Sequence, residues 1–216
     1  ADSWNNREYK SPADGVKALK ETEKATETYH RALTEDEQKD FMQEMASDYY
    51  YEFVALLLCT GMRSGEAAAL TWSDVDYKQN AIHITKTVTY NEDGTIGVGS
   101  PKSESGKRDI PLNDAIKSVL SSQRKKLGNV LPMNDNRVFV SVYGDIVRNN
   151  MLNRAISSAL SRLRDQGRPI EHFTAHTLRD TFATRFIEQG GNPQTLKMIL
   201  GHSSLSMTMD LYSHVL

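Results

Sequence analysis

Four residues near the C-terminal end of the sequence have side chains that can act on an anion: His176, Arg179, His202 and Tyr212. Histidine transfers protons, a tyrosine hydroxyl can act as a nucleophile, and a guanidinium group donates paired hydrogen bonds that match a phosphate. Each residue alone is a weak signal. A histidine and an arginine three apart on a helix usually lie on its surface, or the histidine is buried with its hydrogen bonds satisfied. A tyrosine near a chain end usually packs.

The segment that carries this histidine and arginine has the pattern of a helix. The two residues are three apart, so a helix would place them on one face. Phe182 and Phe186 follow Leu178 at intervals of four and predict a buried stripe on the same helix. A Gly-Gly pair then ends it.

Two further helix boundaries would bring the other two residues close to that helix. An Asn-Pro pair at 192–193 supplies an N-cap and a proline at the first helical position. Gly201 stops this second helix and leaves His202 on the turn beyond it. A serine pair at 203–204 can cap a last helix that carries Tyr212. The polar groups at the junctions of three short helices could then converge on one bound anion.

An upstream segment supplies a further arginine. Residues 49–61 are nearly all apolar and predict a helix at the centre of the core, ended by a glycine. The overlapping run TGMRSGEAAALTWSD, at 60–74, places Arg63 and Glu66 at the start of a short alanine-rich helix. An arginine there could simply be solvated, but its place beside a core helix argues for a role.

The middle of the chain predicts β-structure and contains three lysines that could serve as a proton donor. Residues 81–90, AIHITKTVTY, are rich in β-formers, NEDG is a turn, and residues 95–112 return as one or two strands. The candidate lysines are Lys86, Lys102 and Lys107. The glycines after the turn do not form a nucleotide-binding loop, because their order is reversed from GxGxxG and no helix follows.

The remaining segments carry weaker signals. A Thr-Glu capping box predicts a helix from Thr34, further helices are predicted over 113–127 and 151–163, and a short strand and turn over 138–144. Four arginines lie on or near the last of these helices and would either contact a DNA backbone or form an ordinary charged face: Arg154, Arg162, Arg164 and Arg168. His172 and His176 are spaced like a metal pair, but no third ligand is evident, which argues against a zinc site.

The bulk composition is that of a globular chain. Its 216 residues can form one domain with a sizeable core, and no apolar run approaches the length of a membrane span. The N-terminus lacks the pattern of a signal peptide. Cys59, the single cysteine, lies in an apolar run and is expected to be a buried thiol in a reducing compartment.

Charge is unevenly distributed along the chain. The net charge is −2, which by itself would not indicate a nucleic-acid partner. Residues 1–60 hold 7 Lys and Arg against 13 Asp and Glu, whereas residues 61–216 hold 19 against 15. The modest basic excess therefore lies in the part that contains the motifs.

Taken together, the motifs resemble the tyrosine recombinase (integrase) family, which includes the lambda-type phage integrases, Xer and Cre. The resemblance rests on HTLRDTFAT, LGHSS and LYSHV near the C-terminal end and on the arginine box around Arg63, and it covers roughly Ala32 to Leu216. It implies an α+β fold, a mainly α-helical catalytic domain over 31–216 with a small antiparallel β-sheet at one edge. Residues 1–30, polar and without a sustained period, would be a linker or the tail of a preceding core-binding domain.

The resemblance also implies site-specific DNA strand exchange by transesterification. Tyr212 would attack phosphorus and form a 3′-phosphotyrosyl link. Arg63 and Arg179 would hold the non-bridging oxygens and stabilise the charge of the transition state. Glu66 would orient Arg63 or a neighbour.

The remaining implied roles concern protons. His176 would help to accept the tyrosine proton, and His202 would donate a hydrogen bond to the phosphate. Lys102 would protonate the 5′-oxygen, with Lys86 and Lys107 as rival candidates. Because one phosphoester replaces another, no ATP, metal or other cofactor is expected.

The implied partners are double-stranded DNA and other copies of the chain in a synaptic tetramer, with a possible accessory directionality factor and no membrane. The protein would be cytoplasmic, associated with a bacterial nucleoid, and would integrate or excise a mobile element. His202 and Tyr212 are ten residues apart, which resembles conjugative-transposon integrases rather than Xer. The chain stops four residues after Tyr212, where family members continue into a segment that packs on a neighbouring subunit.

Three other functions make different predictions. A type IB topoisomerase would relax DNA as a monomer and without sequence preference. A DNA-binding module without activity would bind but form no covalent adduct. A metal-dependent nuclease would lose activity with a chelator.

Overall fold

The computed structural model describes residues 31–91, 94–101, 103–128 and 136–209. Lys102, Tyr212 and the expected linker at 1–30 lie outside these described residues. The helices are α1 (Glu35–Met45), α2 (Tyr51–Thr60), α3 (Ser64–Ala69), α4 (Asp114–Leu127), α5 (Asn149–Asp165), α6 (Ala175–Glu188) and α7 (Pro193–Leu200). The strands are β1 (Val75–Asp76), β2 (Ala81–Ile84), β3 (Thr87–Tyr90), β4 (Ile96–Gly99) and β5 (Arg108–Pro111).

Helix α1 begins with the predicted capping box. The Glu37 amide donates to the Thr34 hydroxyl at 3.2 Å, and the Thr34 amide donates to the Glu37 carboxylate at 2.9 Å. This exchange satisfies backbone donors that the first turn of a helix leaves without partners. Phe41 and Met45, further along the helix, are fully buried, so the predicted helix is confirmed.

Helix α2 is the central element of the core. It packs against α4 and α6, and its side chains Phe53, Leu56 and Leu57 are at most 1% exposed. Burial of each such side chain contributes about 1.5–3 kcal/mol relative to exposure. The helix ends at Gly61, whose φ of 63° is the left-handed conformation that glycine adopts without strain, as predicted.

The β-structure forms two small sheets where the sequence predicted one. Strands β1, β2 and β5 form an antiparallel three-stranded sheet in that order, and β3 pairs with β4 in a separate hairpin. The run at 81–90 therefore divides between two sheets, with a break after Ile84. The mainly helical α+β class is confirmed. Two of the glycines considered for a nucleotide loop, Gly97 and Gly99, lie within β4 and pair with β3.

Of the short strand and turn predicted over 138–144, the strand is wrong and the turn is confirmed. Pairing with a distant segment is found at its start, where Val138 N–H donates to Leu70 and an isolated bridge joins Arg137 to Thr71, whereas the hydrogen bonds of Ser141 with Asp145 and Gly144 close the turn. The chain then turns around Gly144, although Val138 is fully buried. A buried apolar run without a partner strand over its length does not form a ladder, and the sequence pattern could not distinguish the two cases.

Helix α5 begins two residues before the predicted start at 151 and packs against α1. Two of its four associated arginines form ion pairs with α1: Arg162 with Glu44, and Arg168 with Asp40 at 3.0 Å. The alternative of an ordinary charged face is therefore the better interpretation of these two. Arg162 joins α5 to α1, and Arg168 joins the segment just after α5 to the same helix.

Helices α6 and α7 share a smaller apolar cluster. Leu178 belongs to the main core, whereas Phe182 and Phe186 are half-buried and pack with Leu196 and Leu200 of α7. The predicted stripe on α6 thus serves two neighbours. Among the described helices, none is long and apolar enough to cross a membrane.

Candidate functional site

Arg63 is placed by the way α2 ends. The left-handed Gly61 turns the chain out of the helix, and a Cβ there would lie 2.4 Å from a ring carbon of Phe182. Two residues later Arg63 stands at the N-cap of α3, with its side chain 43% exposed. The core helix therefore fixes the backbone of an arginine whose guanidinium is open to solvent.

Glu66 fixes the position of Arg63 through hydrogen bonds to its backbone and side chain. This carboxylate is 2% exposed and accepts from the Arg63 amide at 2.9 Å and from Arg63 Nη1 at 2.9 Å. It also accepts two hydrogen bonds from Arg108, at 3.0 Å and 2.8 Å. Burial raises the pKa of Glu66, but the hydrogen bonds and charge of Arg108, and then those of Arg63, outweigh it and lower the pKa below its usual value.

Arg179 lies in the interior, 3% exposed, on the buried side of α6. Its Nη1 donates to the Gly61 carbonyl at 2.7 Å and its Nη2 to the Leu200 carbonyl at 2.7 Å. These carbonyls close α2 and α7, where the negative ends of both helix dipoles favour a cation. Burial first, and then the charge of Arg63, lower the pKa of Arg179 to about 9, so the group is still protonated at neutral pH.

His202 follows α7 directly, as predicted, on a turn made by the left-handed Gly201. The residue is 8% exposed, and its Nδ1 lies 3.0 Å from the Thr208 hydroxyl. Burial first, and then the charge of Arg179, lower the pKa of His202 to about 4. The imidazole is therefore neutral at physiological pH.

His176 is in the first turn of α6 and differs from His202 in exposure. Its side chain is 58% exposed, and Nε2 lies 3.9 Å from the Asp180 carboxylate one turn further along. It is among the charges that lower the pKa of His202. His176 is thus open to solvent, whereas His202 is buried.

Two of the three candidate lysines already have partners. Lys86 Nζ lies 2.9 Å from the Asp74 carboxylate and donates to the Thr71 hydroxyl at 2.9 Å. Lys107 pairs with Glu104 at 3.0 Å and precedes β5, so the expectation that it lies on the returning strand is wrong. A single 3₁₀ turn at Glu104–Gly106 replaces the start of that strand. Lys102 lies outside the described residues, as does Tyr212.

Two open clefts adjoin the arginines. One, of about 550 Å³, lies between α3 and the β3–β4 hairpin and is lined by Arg63, Glu66 and Gly106. The other, of about 480 Å³, is lined by Lys107, Lys197, Arg108 and His202. The second cleft has three basic side chains against the single carboxylate of Asp109 and therefore favours an anion, whereas in the first the charge of Arg63 is balanced by Glu66.

The structure brings Arg63, Glu66, Arg179 and His202 into one cluster. Arg179 is bonded to carbonyls two residues from Arg63 and two residues from His202, which joins three motifs that are distant in the sequence. His176 lies at its margin. The described residues contain no group of three His, Cys, Asp or Glu side chains arranged to hold a metal.

Two members of this cluster were missed in the sequence. Arg108 is the first residue of β5, and nothing in the run RDIP distinguishes it from an exposed edge arginine. Thr208 gave no signal either, although it is fully buried and contacts His202. Both depend on contacts between distant parts of the chain.

The chain is similar to integrases and recombinases of bacteria. It is 27% identical over 202 residues to the transposase from transposon Tn916 of Enterococcus faecalis, covering 84% of this chain and 47% of that protein. It is 27% identical over 218 residues to the ICEBs1 integrase of Bacillus subtilis, covering 95% of this chain and 55% of that protein. The chain thus spans about half the length of these curated relatives.

Solved structures of similar proteins share the fold. The Tn1549 transposon integrase in complex with transposon right end DNA matches with a TM-score of 0.74 at 26% identity, covering 85% of this chain and 61% of that one. The XerA recombinase matches with a TM-score of 0.64 at 26% identity, covering 85% and 58%. A sequence model described as the phage integrase family matches residues 31–216, and the chain belongs to that family.

Proposed function

We propose that this chain is the catalytic part of a site-specific DNA recombinase that cuts and rejoins strands through a 3′-phosphotyrosyl intermediate. The observation that carries the proposal is the meeting of three separate motifs at Arg179, which donates to the carbonyls of Gly61, two residues before Arg63, and of Leu200, two residues before His202. Membership in the phage integrase family supports the same reaction.

The chemistry that these residues would supply is charge stabilisation. A phosphodiester resists nucleophiles because it is negatively charged, and a second negative charge develops in the five-coordinate transition state. Arg63, open to the cleft, would bind one non-bridging oxygen, and Arg179 would act from the interior. Donors fixed in place before the reaction are worth far more in such a site than in water.

His202 would donate a hydrogen bond to the phosphate. With a pKa of about 4 it is neutral, so only one of its ring nitrogens carries a proton. If the Thr208 hydroxyl donates to Nδ1, the proton resides on Nε2 and that nitrogen can donate to an oxygen of the substrate. Thr208 would thereby select the useful tautomer.

Proton transfer would involve residues at the margin and outside the described part. Tyr212 would attack phosphorus while His176, exposed beside Asp180, accepts its proton. Lys102 would protonate the departing 5′-oxygen. Lys102 is preferred to Lys86 and Lys107 because the run SPKSESGKRDIP resembles the hairpin that carries the catalytic lysine in the family. Glu66 would orient Arg63.

The substrate would be double-stranded DNA at the ends of a mobile element. The relatives in E. faecalis and B. subtilis are a transposon transposase and an integrase, and the Tn1549 integrase was solved with transposon DNA. Copies of the chain would assemble in a synaptic tetramer, with a directionality factor as an accessory, in the bacterial cytoplasm. No metal or nucleotide would be required, because one phosphoester is exchanged for another.

The test is covalent capture of DNA from a mixture of many sequences, so that the protein itself selects its target. The protein is incubated, in excess EDTA, with a pool of nicked duplexes whose central sequence is randomised. The nick lets the fragment beyond the cut diffuse away, so an adduct accumulates and can be recovered and sequenced. The expected result is a protein–DNA adduct on a denaturing gel, enriched for a defined sequence. Adducts that need magnesium or zinc would overturn the mechanism.

Variants make the test specific to the arginine cluster. Arg63→Ala and Arg179→Ala should each slow adduct formation by about 10²–10³-fold, the typical cost of removing one transition-state donor. Arg168→Ala removes an arginine of a surface ion pair outside the cluster and should have little effect. Equal rates in all three variants would contradict the proposed site.

A further inference from the structure

Arg108 is a buried arginine that the proposed mechanism does not use. Its side chain is 6% exposed, and it forms hydrogen bonds in three directions. Nη1 and Nη2 reach Glu66 of α3, Nη1 also donates to the Gly106 carbonyl at 3.0 Å, and Nε donates to the Ile199 carbonyl in the last turn of α7. One guanidinium group therefore joins β5 to two of the segments that carry the candidate site.

The carboxylate of Glu66 shows what this contact does. Its Oε1 accepts from Nη1 of both Arg63 and Arg108, and its Oε2 accepts from the Arg63 amide and from Arg108 Nη2. Arg108 forms the two-pronged pair that arginine and carboxylate prefer. Arg63 is left with one side-chain hydrogen bond to Glu66, and its guanidinium remains 43% exposed toward the cleft.

Removal of Arg108 would change that balance. Glu66 would remain a buried carboxylate whose guanidinium partner, among the residues that the structure describes, is Arg63. A buried charge that loses its partner is costly, so Glu66 would attract Arg63 into the two-pronged geometry. The Arg63 donors that face the cleft would then be occupied by the protein.

The other end of Arg108 is packed against the turn that carries His202. A Cβ on Gly201 would lie 3.0 Å from Cδ and 3.1 Å from Nη1 of Arg108. The positive φ of 66° at Gly201 and this close approach both require glycine there. Arg108 therefore supports the backbone on both sides of the site.

We infer that Arg108 is a positioning residue of the recombinase, which neutralises Glu66 so that Arg63 is free to bind the scissile phosphate. The inference rests on the proposed function. The ion pair of Arg108 with Glu66 would then have a catalytic role beyond holding β5 to α3.

The first experiment compares rates of adduct formation on the most reactive duplex recovered from the randomised pool. Arg108→Met keeps the length of the side chain and removes its charge. Arg108→Lys keeps the charge but cannot form the two-pronged pair with a carboxylate. Arg168→Met is the matched surface control. Arg108→Met should bind the duplex normally but form adduct about 10–100-fold more slowly, the size of loss that follows when the hydrogen-bond partner of a metal ligand is removed. Arg108→Lys should recover part of the rate and remains informative if the Met variant does not fold.

Two further measurements separate positioning from simple support of the fold. If Glu66 captures Arg63, then Glu66→Gln combined with Arg108→Met should be at least as fast as Arg108→Met alone. A methylphosphonate at the scissile position, which replaces a charged oxygen by methyl, lowers the need for Arg63. On that duplex the deficit of Arg108→Met should shrink to a few-fold. A disturbed fold would be equally slow on both duplexes.

A DNA-independent measurement distinguishes failure of this inference from failure of the proposed function. Inorganic phosphate should raise the Tm of the wild type above that in chloride at equal ionic strength, because it binds the arginine cluster. Arg63→Ala should abolish the rise and Arg108→Met should lose most of it. The inference alone is overturned if folded Arg108→Met has a normal adduct rate or a normal phosphate response. It is also overturned if this variant shows the same deficit on the methylphosphonate duplex. If the wild type forms no adduct, the proposed function is overturned, and the phosphate response still decides the role of Arg108. If the wild type shows neither an adduct nor a phosphate response, both the proposed function and the inference are overturned.

Discussion

Gly201→Ala is a sensitive test of how tightly the site is packed around Arg108. This residue closes α7 in the left-handed conformation, directly before His202. A Cβ at this position would lie 2.7 Å from the Ser105 carbonyl oxygen, which belongs to the backbone and cannot move aside alone. It would also press on Arg108 at 3.0 Å.

The expected cost has two parts. Alanine in the left-handed region costs about 1–2 kcal/mol, and overpacking of a filled interior costs about 1–3 kcal/mol more. Gly190→Ala is the matched control, because Gly190 follows α6 at a φ of 76° with no atom within 4 Å of an added Cβ. The control retains the conformational cost, and the effect of a methyl group on the unfolded chain cancels between the two variants.

The assay is thermal and urea unfolding of both variants, followed by the rate of adduct formation. Gly201→Ala should be less stable than Gly190→Ala by about 1–3 kcal/mol, which lowers Tm by roughly a further 2–12 °C in a protein of this size. It should also slow adduct formation, because relief of the clash moves Arg108 or His202. Equal stability of the two variants would refute the close packing of Gly201 against the Ser105 carbonyl and Arg108.

Two further predictions concern protons at the site. The pKa of His202 is about 4 in the folded protein and 6.5 in the unfolded chain, so the unfolded state holds more protons between these values and stability is lost as pH falls through this window. The free energy of unfolding of His202→Gln should therefore change less across pH 4–6.5 than that of the wild type, by up to about 3 kcal/mol. Parallel curves would contradict the buried neutral imidazole. If Lys102 protonates the 5′-oxygen, Lys102→Ala should cut normal DNA about 10²–10⁴-fold more slowly than the wild type. It should cut a strand with sulfur at the 5′-bridging position almost normally, because a thiolate leaves without an acid. If the sulfur-bridged strand rescues Lys86→Ala or Lys107→Ala instead, a different lysine is the proton donor.

Local signals in the sequence predicted the elements that position the site. The Thr34 capping box, the glycine stop at Gly61 and the Asn-Pro start of α7 each depend on neighbouring residues alone, and each is present in the structure. The placement of His202 just beyond Gly201 followed from the same logic. Short-range hydrogen bonding and backbone preference are sufficient for such predictions.

The features that were missed depend on partners far away in the sequence. The burial of Arg108 results from the pairing of β5 with β2 and from a carboxylate on α3, neither of which is visible in its neighbours. The strand expected over 138–144 failed because a pattern of apolar residues cannot show whether a partner strand continues alongside. The exposure of His176 and the burial of Arg179, three residues apart on α6, likewise depend on what packs against the helix.

The most direct test of the proposed mechanism is to identify the amino acid that is joined to DNA. The adduct is trapped on the nicked duplex, digested with nuclease and protease, and the remaining nucleotide is located by mass spectrometry. The expected result is a nucleotide phosphate on Tyr212, together with normal DNA binding and no adduct for Tyr212→Phe. A phosphate on another residue, such as Tyr143, which is 80% exposed, or an adduct that persists in Tyr212→Phe, would contradict the mechanism.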